Sequence, residues 1–178
     1  MGLTKNNFLE LASRYDHVYR MTDEKVEKKI KLLLRKQRYL MRANLIKLAC
    51  WKSNRPRRYY ESNDDQAVRE VTRFSFGTPS ERARIESLLV LKGVGWPVAS
   101  AILHFAFPDE YPIMDFRAIR SLGWTQPQTY DFDFWKKYCN KIGSLARTHK
   151  LSIRTVEKAL WMYDKVRSKN RPCGRVSS

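Results

Sequence analysis

The chain has 178 residues, a formal net charge of +17 and 43% hydrophobic residues, which is enough apolar content to bury one core and argues against long disorder. No run reaches the ~18 apolar residues of a membrane span, and Lys5, Glu10 and Arg14 interrupt the N-terminal apolar positions, so the expectation is a soluble, unexported protein that makes no membrane contact. Cys50, Cys139 and Cys173 are widely spaced and form no Cys-x-x-Cys pair; this speaks against a disulfide framework and against a zinc or iron–sulfur knot and for a reducing, cytoplasmic setting.

Apolar residues recur every three or four positions, interrupted by only seven glycines and seven prolines, which predicts an all-α fold. A first helix is expected from Thr4 to about Met21, with Phe8, Leu11, Ala12, Tyr15 and Val18 as its buried stripe. Thr22, followed by Asp23 and Glu24, reads as the N-cap of a second helix. Its apolar face would run through Val26, Ile30, Leu33, Leu34, Gln37, Met41, Leu45 and Leu48, with lysines and arginines outside. Residues 51–62 break the period and read as a basic, aromatic loop holding Arg55, Arg57, Arg58, Tyr59 and Tyr60. Asn63 or Asp64 is expected to cap the next helix, ending near Gly77, and Pro79 and Ser80 to open another toward Lys92.

Farther on, Phe134, Tyr138, Ile142 and Leu145 mark one amphipathic helix, and Ile153, Val156, Leu160 and Tyr163 mark another. Without an internal repeat or a flexible linker, residues 1–170 are expected to form one domain, with its helices in one or two lobes. Residues 171–178 read as a basic disordered tail. The expected oligomeric state is a monomer.

The charge is uneven. Residues 136–175 carry twelve Lys/Arg against Glu157 and Asp164, whereas residues 81–135 carry five basic and seven acidic side chains. Basic flanks around a near-neutral centre point to a polyanionic partner. Arg55, Arg57, Arg58, Lys92 and the basic C-terminal helix are the expected phosphate contacts.

The most informative stretch is Leu91, Lys92, Gly93, Val94, Gly95, Trp96, Pro97, Val98 and Ala99. A helix runs into two glycines one residue apart and a second apolar helix begins at once. Glycine allows a left-handed turn and the close approach of a phosphate, Pro97 suits a first helical turn, and the N–H groups of Gly95 and Trp96 would form an anion site. The plain alternative is a hairpin that turns with glycine and touches nothing.

Leu91, Gly93, Val94, Gly95 and Ala99 together resemble the helix-hairpin-helix motif. Pro112, Ile113, Met114 and Asp115, followed by Arg117, Arg120 and Leu122-Gly123, resemble the segment that follows it in the helix-hairpin-helix DNA glycosylase superfamily, which contains endonuclease III and adenine glycosylase. The resemblance covers residues 30–125 and implies double-stranded DNA as partner, with Lys92, Gly93, Val94, Gly95 and Trp96 at the DNA. It also implies a catalytic carboxylate at Asp115. Pro97 stands where bifunctional members carry a Schiff-base lysine, and three scattered cysteines cannot hold the family's four-cysteine iron–sulfur cluster. The implied type is cluster-free and monofunctional, with no cofactor beyond a monovalent cation that the resemblance allows under the hairpin carbonyls.

Cleavage of an N-glycosidic bond develops positive charge on the sugar, which a fixed carboxylate can stabilise while it orients or deprotonates water. Asp115 is the candidate; the competing role is capping the helix that starts at Phe116. An extruded base needs an aromatic or apolar pocket, and Trp51, Tyr59, Tyr60 and Trp96 are the candidates by position. His17, His104 and His149 lack metal-site spacing, and His104 reads as a satisfied core residue. Asp64-Asp65, Asp109-Glu110 and Asp131/Asp133 read as helix-start acids. The alternative functions are a DNA-binding hairpin protein without catalysis and an RNA- or membrane-surface binder using the basic helix at 25–48.

Overall fold

Thr4 opens the first helix with a reciprocal cap: its hydroxyl accepts from Asn7 N–H at 3.3 Å, and Asn7 Oδ1 accepts from Thr4 N–H at 3.0 Å. In the computed structural model, which describes residues 2–169, α1 then runs unbroken over Lys5–Lys36, about 48 Å at 1.5 Å per residue. The expected break at Thr22 is therefore corrected, since the backbone passes through it as helix. Threonine and aspartate only weaken a helix interior, and glutamate favours one. Ion pairs to α9 (Ile153–Lys169) hold α1 on both sides of that point, Asp16 with Lys158 at 2.6 Å and Glu27 with Arg154 at 2.9 Å. Phe8, Leu11 and Ala12 are buried as expected, whereas Val18 is 56% exposed.

The chain leaves the helix at residues 37–41 instead, where it has neither glycine nor proline. Leu40 is fully buried there, and its N–H donates to Thr72 Oγ1 at 2.9 Å. Arg42 N–H donates to Asp65 Oδ1 at 2.7 Å, so α2 (Arg42–Lys52) starts against α4 (Asp65–Gly77). The single apolar face read from Val26 to Leu48 thus belongs to two helices.

The expected loop at 51–62 holds the end of α2 and the short α3 (Arg57–Glu61). Asp64, the cap of α4, accepts from Ala67 N–H at 3.0 Å. Ser80 caps α5 (Glu81–Glu86), which continues as a 3-10 turn over Ser87–Val90. Then follow α6 (Trp96–Ala106), α7 (Phe116–Ser121) and α8 (Phe132–His149), the last capped by Asp131 on Phe134 N–H at 2.8 Å. Asp109 and Glu110 start no helix and lie in the turn after α6. The expected tail at 171–178 and Cys173 lie outside the described residues.

All regular structure among the described residues is helical, and no described helix is long and apolar enough to cross a membrane. Helix α9 packs along α1 and α7, while α2 to α6 pack on one another, with α2 and α6 also against α1. Large buried side chains, among them Trp135, Tyr138, Phe105 and Phe8, fill the interior.

His104 is fully buried in α6, and its Nδ1 lies 2.8 Å from the Tyr111 carbonyl. A carbonyl can only accept, so Nδ1 carries the proton; Nε2 is buried without a partner, which disfavours a second proton on the ring. Burial lowers its pKa to about 4 from 6.5. The unfolded chain therefore takes up a proton first as pH falls, and stability is lost between pH 6.5 and 4, by roughly 3 kcal/mol from this group. Glu157, pushed up to about 7 by burial, titrates with the opposite sign over an overlapping range. The isolating measurement is thermal unfolding of His104→Asn beside the native chain: their difference in Tm at pH 7 should shrink as pH approaches 4.

Candidate functional site

The extended segment 111–115 has no strand partner, so side chains from the surrounding helices must satisfy its buried backbone. Tyr138 Oη donates to the Ile113 carbonyl at 3.0 Å, Ser100 Oγ accepts from Met114 N–H at 2.8 Å, and Glu157 Oε1 accepts from Ile113 N–H. With His104 on the Tyr111 carbonyl, α6, α8 and α9 together clamp this strap. At its end Asp115 caps α7, Oδ1 accepting from Arg117 N–H at 2.9 Å. The second oxygen, Oδ2, accepts from Lys52 Nζ at 2.6 Å, with the two side chains 19% and 11% exposed. One oxygen of this carboxylate thus caps α7 while the other pairs with Lys52.

Asp115 and Lys52 lie on the wall of a cavity of about 540 Å³, lined also by Tyr15, Tyr19, Trp51, Ile113, Ala118, Arg154, Glu157, Lys158 and Trp161. Helices α1, α2, α7 and α9 and the strap all contribute. The aromatic walls are braced edge to face: Trp161 meets Tyr15 and Tyr19 at 5.3 Å each, and Trp51 meets Phe105 at 5.3 Å. Arg154 sits between two carboxylates, donating to Glu27 at 2.9 Å and to Glu157 at 3.4 Å, with its guanidinium over the Trp51 ring at 5.6 Å. Burial raises the Glu157 pKa although Arg154 and the Ile113 N–H oppose it.

At the hairpin only Gly93 takes a left-handed backbone, φ +84°. A Cβ there would come within 2.9 Å of the Tyr60 ring. Gly95 is extended, φ −99° and ψ 178°, and a Cβ on it would meet nothing closer than Pro97 at 4.0 Å. Asn63, 6% exposed, locks the turn: Oδ1 accepts from Lys92 N–H at 2.8 Å and Nδ2 donates to the Lys92 carbonyl at 3.1 Å. The Leu91 carbonyl accepts from Val94 N–H at 3.0 Å. The Leu91 and Lys92 carbonyls of the hairpin thus accept hydrogen bonds from within the protein. Helix α6 begins without a side-chain cap; Pro97 has no N–H, and the Val98 and Ala99 N–H groups donate to the Gly95 carbonyl at 2.9 Å each.

Hairpin and cavity are connected. Lys52 ends α2 at the cavity, the next residue, Ser53, accepts from Tyr60 Oη at 3.1 Å, and the Tyr60 ring lies under Gly93. This corrects the expectation for Tyr60, which is fully buried as the hairpin's support and has no access to the cavity. Tyr59 is 47% exposed and stacks under Arg58 at 4.8 Å, away from the cavity lining. Of the four pocket candidates, Trp51, Tyr59, Tyr60 and Trp96, the structure brings Trp51 alone to the cavity, together with Asp115.

Lys92, Gly93, Gly95, Arg55, Arg57 and Arg58 are on the surface, Trp96 is half-buried, and Val94 is buried. Arg57 already pairs with Glu61 at 2.8 Å. The C-terminal helix departs from expectation: Arg154 and Lys158 line the cavity and Lys165 lies over Tyr19 at 4.8 Å, so these cations face inward contacts and not a flank.

Lys52, Tyr15, Tyr19, Arg154, Glu157, Lys158 and Trp161 were not singled out for the cavity from sequence. Their signal exists as helical spacing, with Tyr15 and Tyr19 one turn apart on α1 and Arg154, Glu157, Lys158 and Trp161 on one face of α9. Comparisons with family models, curated proteins and solved structures find no match to this chain.

The two glycines should differ in folding stability. Gly93→Ala is expected to cost about 2 kcal/mol, from the left-handed backbone and the Tyr60 clash, whereas Gly95→Ala should stay within about 0.5 kcal/mol of the native chain. Urea unfolding of both variants checks this, and equal losses would refute the assignment of the turn.

Proposed function

We propose that this chain is a DNA glycosylase of the helix-hairpin-helix type that hydrolyses the N-glycosidic bond of a damaged or mispaired base extruded from duplex DNA. One observation carries the reading: Asp115, held rigidly by the strap, lies on an aromatic cavity that connects through residues 52–60 to the glycine hairpin. The net charge of +17 supports a polyanionic partner. In this reading the hairpin backbone at Gly93 to Trp96 takes a phosphate. The extruded base enters among Trp51, Tyr15 and Trp161.

The bond from C1′ to the base nitrogen breaks with its electron pair going to the base, and positive charge spreads over C1′ and the ring oxygen. The Asp115 carboxylate faces that charge and takes a proton from the water that attacks C1′. Lys52, 2.6 Å from Oδ2, fixes the direction of that oxygen. Pro97 removes the hairpin amine, yet Lys52 places an amine from α2 in the same cavity; hydrolysis remains the proposal, with Lys52 as a positioning residue.

Single-turnover incubation with duplexes each carrying one modified or mispaired base, followed by hot alkali, tests this. Base release is expected at one lesion class, lowered at least ~100-fold in Asp115→Asn, with duplex affinity nearly unchanged. Full activity of that variant would overturn the role of Asp115. Strand cleavage without alkali, trapped by borohydride and lost in Lys52→Met, would make Lys52 a nucleophile. Binding with no release at any lesion would leave a non-catalytic hairpin protein.

A second prediction concerns the hairpin. Gly95→Ala should weaken duplex binding by about tenfold, the scale of one charge-assisted hydrogen bond, despite its native fold. Unchanged affinity in fluorescence anisotropy would remove the hairpin from the interface and favour an RNA- or surface-binding use of the basic helices.

A further inference from the structure

Phe116 follows Asp115 directly and is 43% exposed at the start of α7. Single exposed apolar side chains are ordinary on protein surfaces, so exposure alone says little. What sets this ring apart is its bracing. The Arg117 guanidinium lies 5.1 Å from its centroid and the Arg120 guanidinium 5.4 Å. Neither arginine is loose: Arg117 donates to Asp164 at 2.8 Å, and Arg120 donates to the same carboxylate at 3.0 and 2.6 Å. Asp164 is itself only 9% exposed. Two planar cations anchored on one buried carboxylate therefore fix an aromatic ring that remains open to solvent.

The bracing also ties Phe116 to the cavity. The Arg117 guanidinium lies 5.1 Å from the Phe116 ring and 5.1 Å from the ring of Trp161, which lines the cavity wall. The exposed ring thus stands one residue from Asp115 and one guanidinium from an aromatic wall. Two arginines sharing one carboxylate leave a local positive excess, which suits a phosphate backbone on either side of the ring.

Extruding a nucleotide leaves a gap in the base stack, and an apolar side chain inserted there recovers part of the lost stacking. Resting on the glycosylase reading above, we propose that Phe116 is the wedge: its ring enters the gap left by the extruded nucleotide and stacks on the neighbouring bases while Asp115 meets the sugar. Arg117 and Arg120 hold the ring in place and face the flanking phosphates.

The test uses the full chain and a duplex with a tetrahydrofuran abasic analogue opposite 2-aminopurine, so that no base release is needed. Native protein should change the 2-aminopurine emission on binding. Phe116→Ala should lose that change and bind the gapped duplex about tenfold more weakly, while its affinity for intact duplex and its Tm stay native; Phe116→Tyr should restore both signals. A native response from Phe116→Ala, or an equal loss on intact duplex, overturns the wedge and leaves the glycosylase reading standing. Absence of any duplex binding by the native chain removes the glycosylase reading itself and the wedge with it.

Discussion

The buried, strandless segment at 111–115 is the constraint around which the molecule is organised. A backbone taken out of water without a helix or sheet ladder must have its N–H and C=O groups satisfied one by one. Here His104 and Ser100 from α6, Tyr138 from α8 and Glu157 from α9 do so. Each partner is buried, so the helices cannot shift independently without orphaning a polar group. Asp115 inherits the rigidity of that clamp, and its position relative to α9 is set by Glu157, two residues from it along the strap through Ile113.

Charge is spent inside this fold more than its surface excess suggests. Arg154 bridges Glu27 of α1 and Glu157 of α9, Lys158 pairs with Asp16, and Arg117 and Arg120 share Asp164. Two cations of α9 therefore join it to α1, and two of α7 join that helix to α9. Partial burial makes these pairs stronger than surface pairs, and removing one member leaves an uncompensated charge. The exposed cations that remain for a polyanion include Arg55, Arg58 and Lys92 beside the hairpin, and also Lys25, Lys29 and Lys36 of α1 and Lys137 and Lys141 of α8.

The hairpin divides its work between two glycines. Gly93 is required by the fold, through its positive φ and the Tyr60 ring beneath it, whereas Gly95 is in a conformation open to other residues. Its small size has no folding explanation within the chain. An anion approaching the start of α6 would give it one.

The sequence by itself determined the all-α class, the caps at Asp64, Ser80 and Asp131, the glycine turn and the last two helices, because these rest on local spacing and on side chains that bond their own backbone neighbours. Tertiary structure decided where α1 ends. Thr22, a capable cap, is overruled by ion pairs to α9 on either side, and the chain turns at Leu40 because a buried pocket and the Thr72 hydroxyl await it there. It also decided the cavity. Lys52 and Asp115 are 63 residues apart, and no local pattern could pair them or turn Tyr60 inward beneath Gly93. Local rules read the backbone; only packing between distant helices selects which polar side chains share a site.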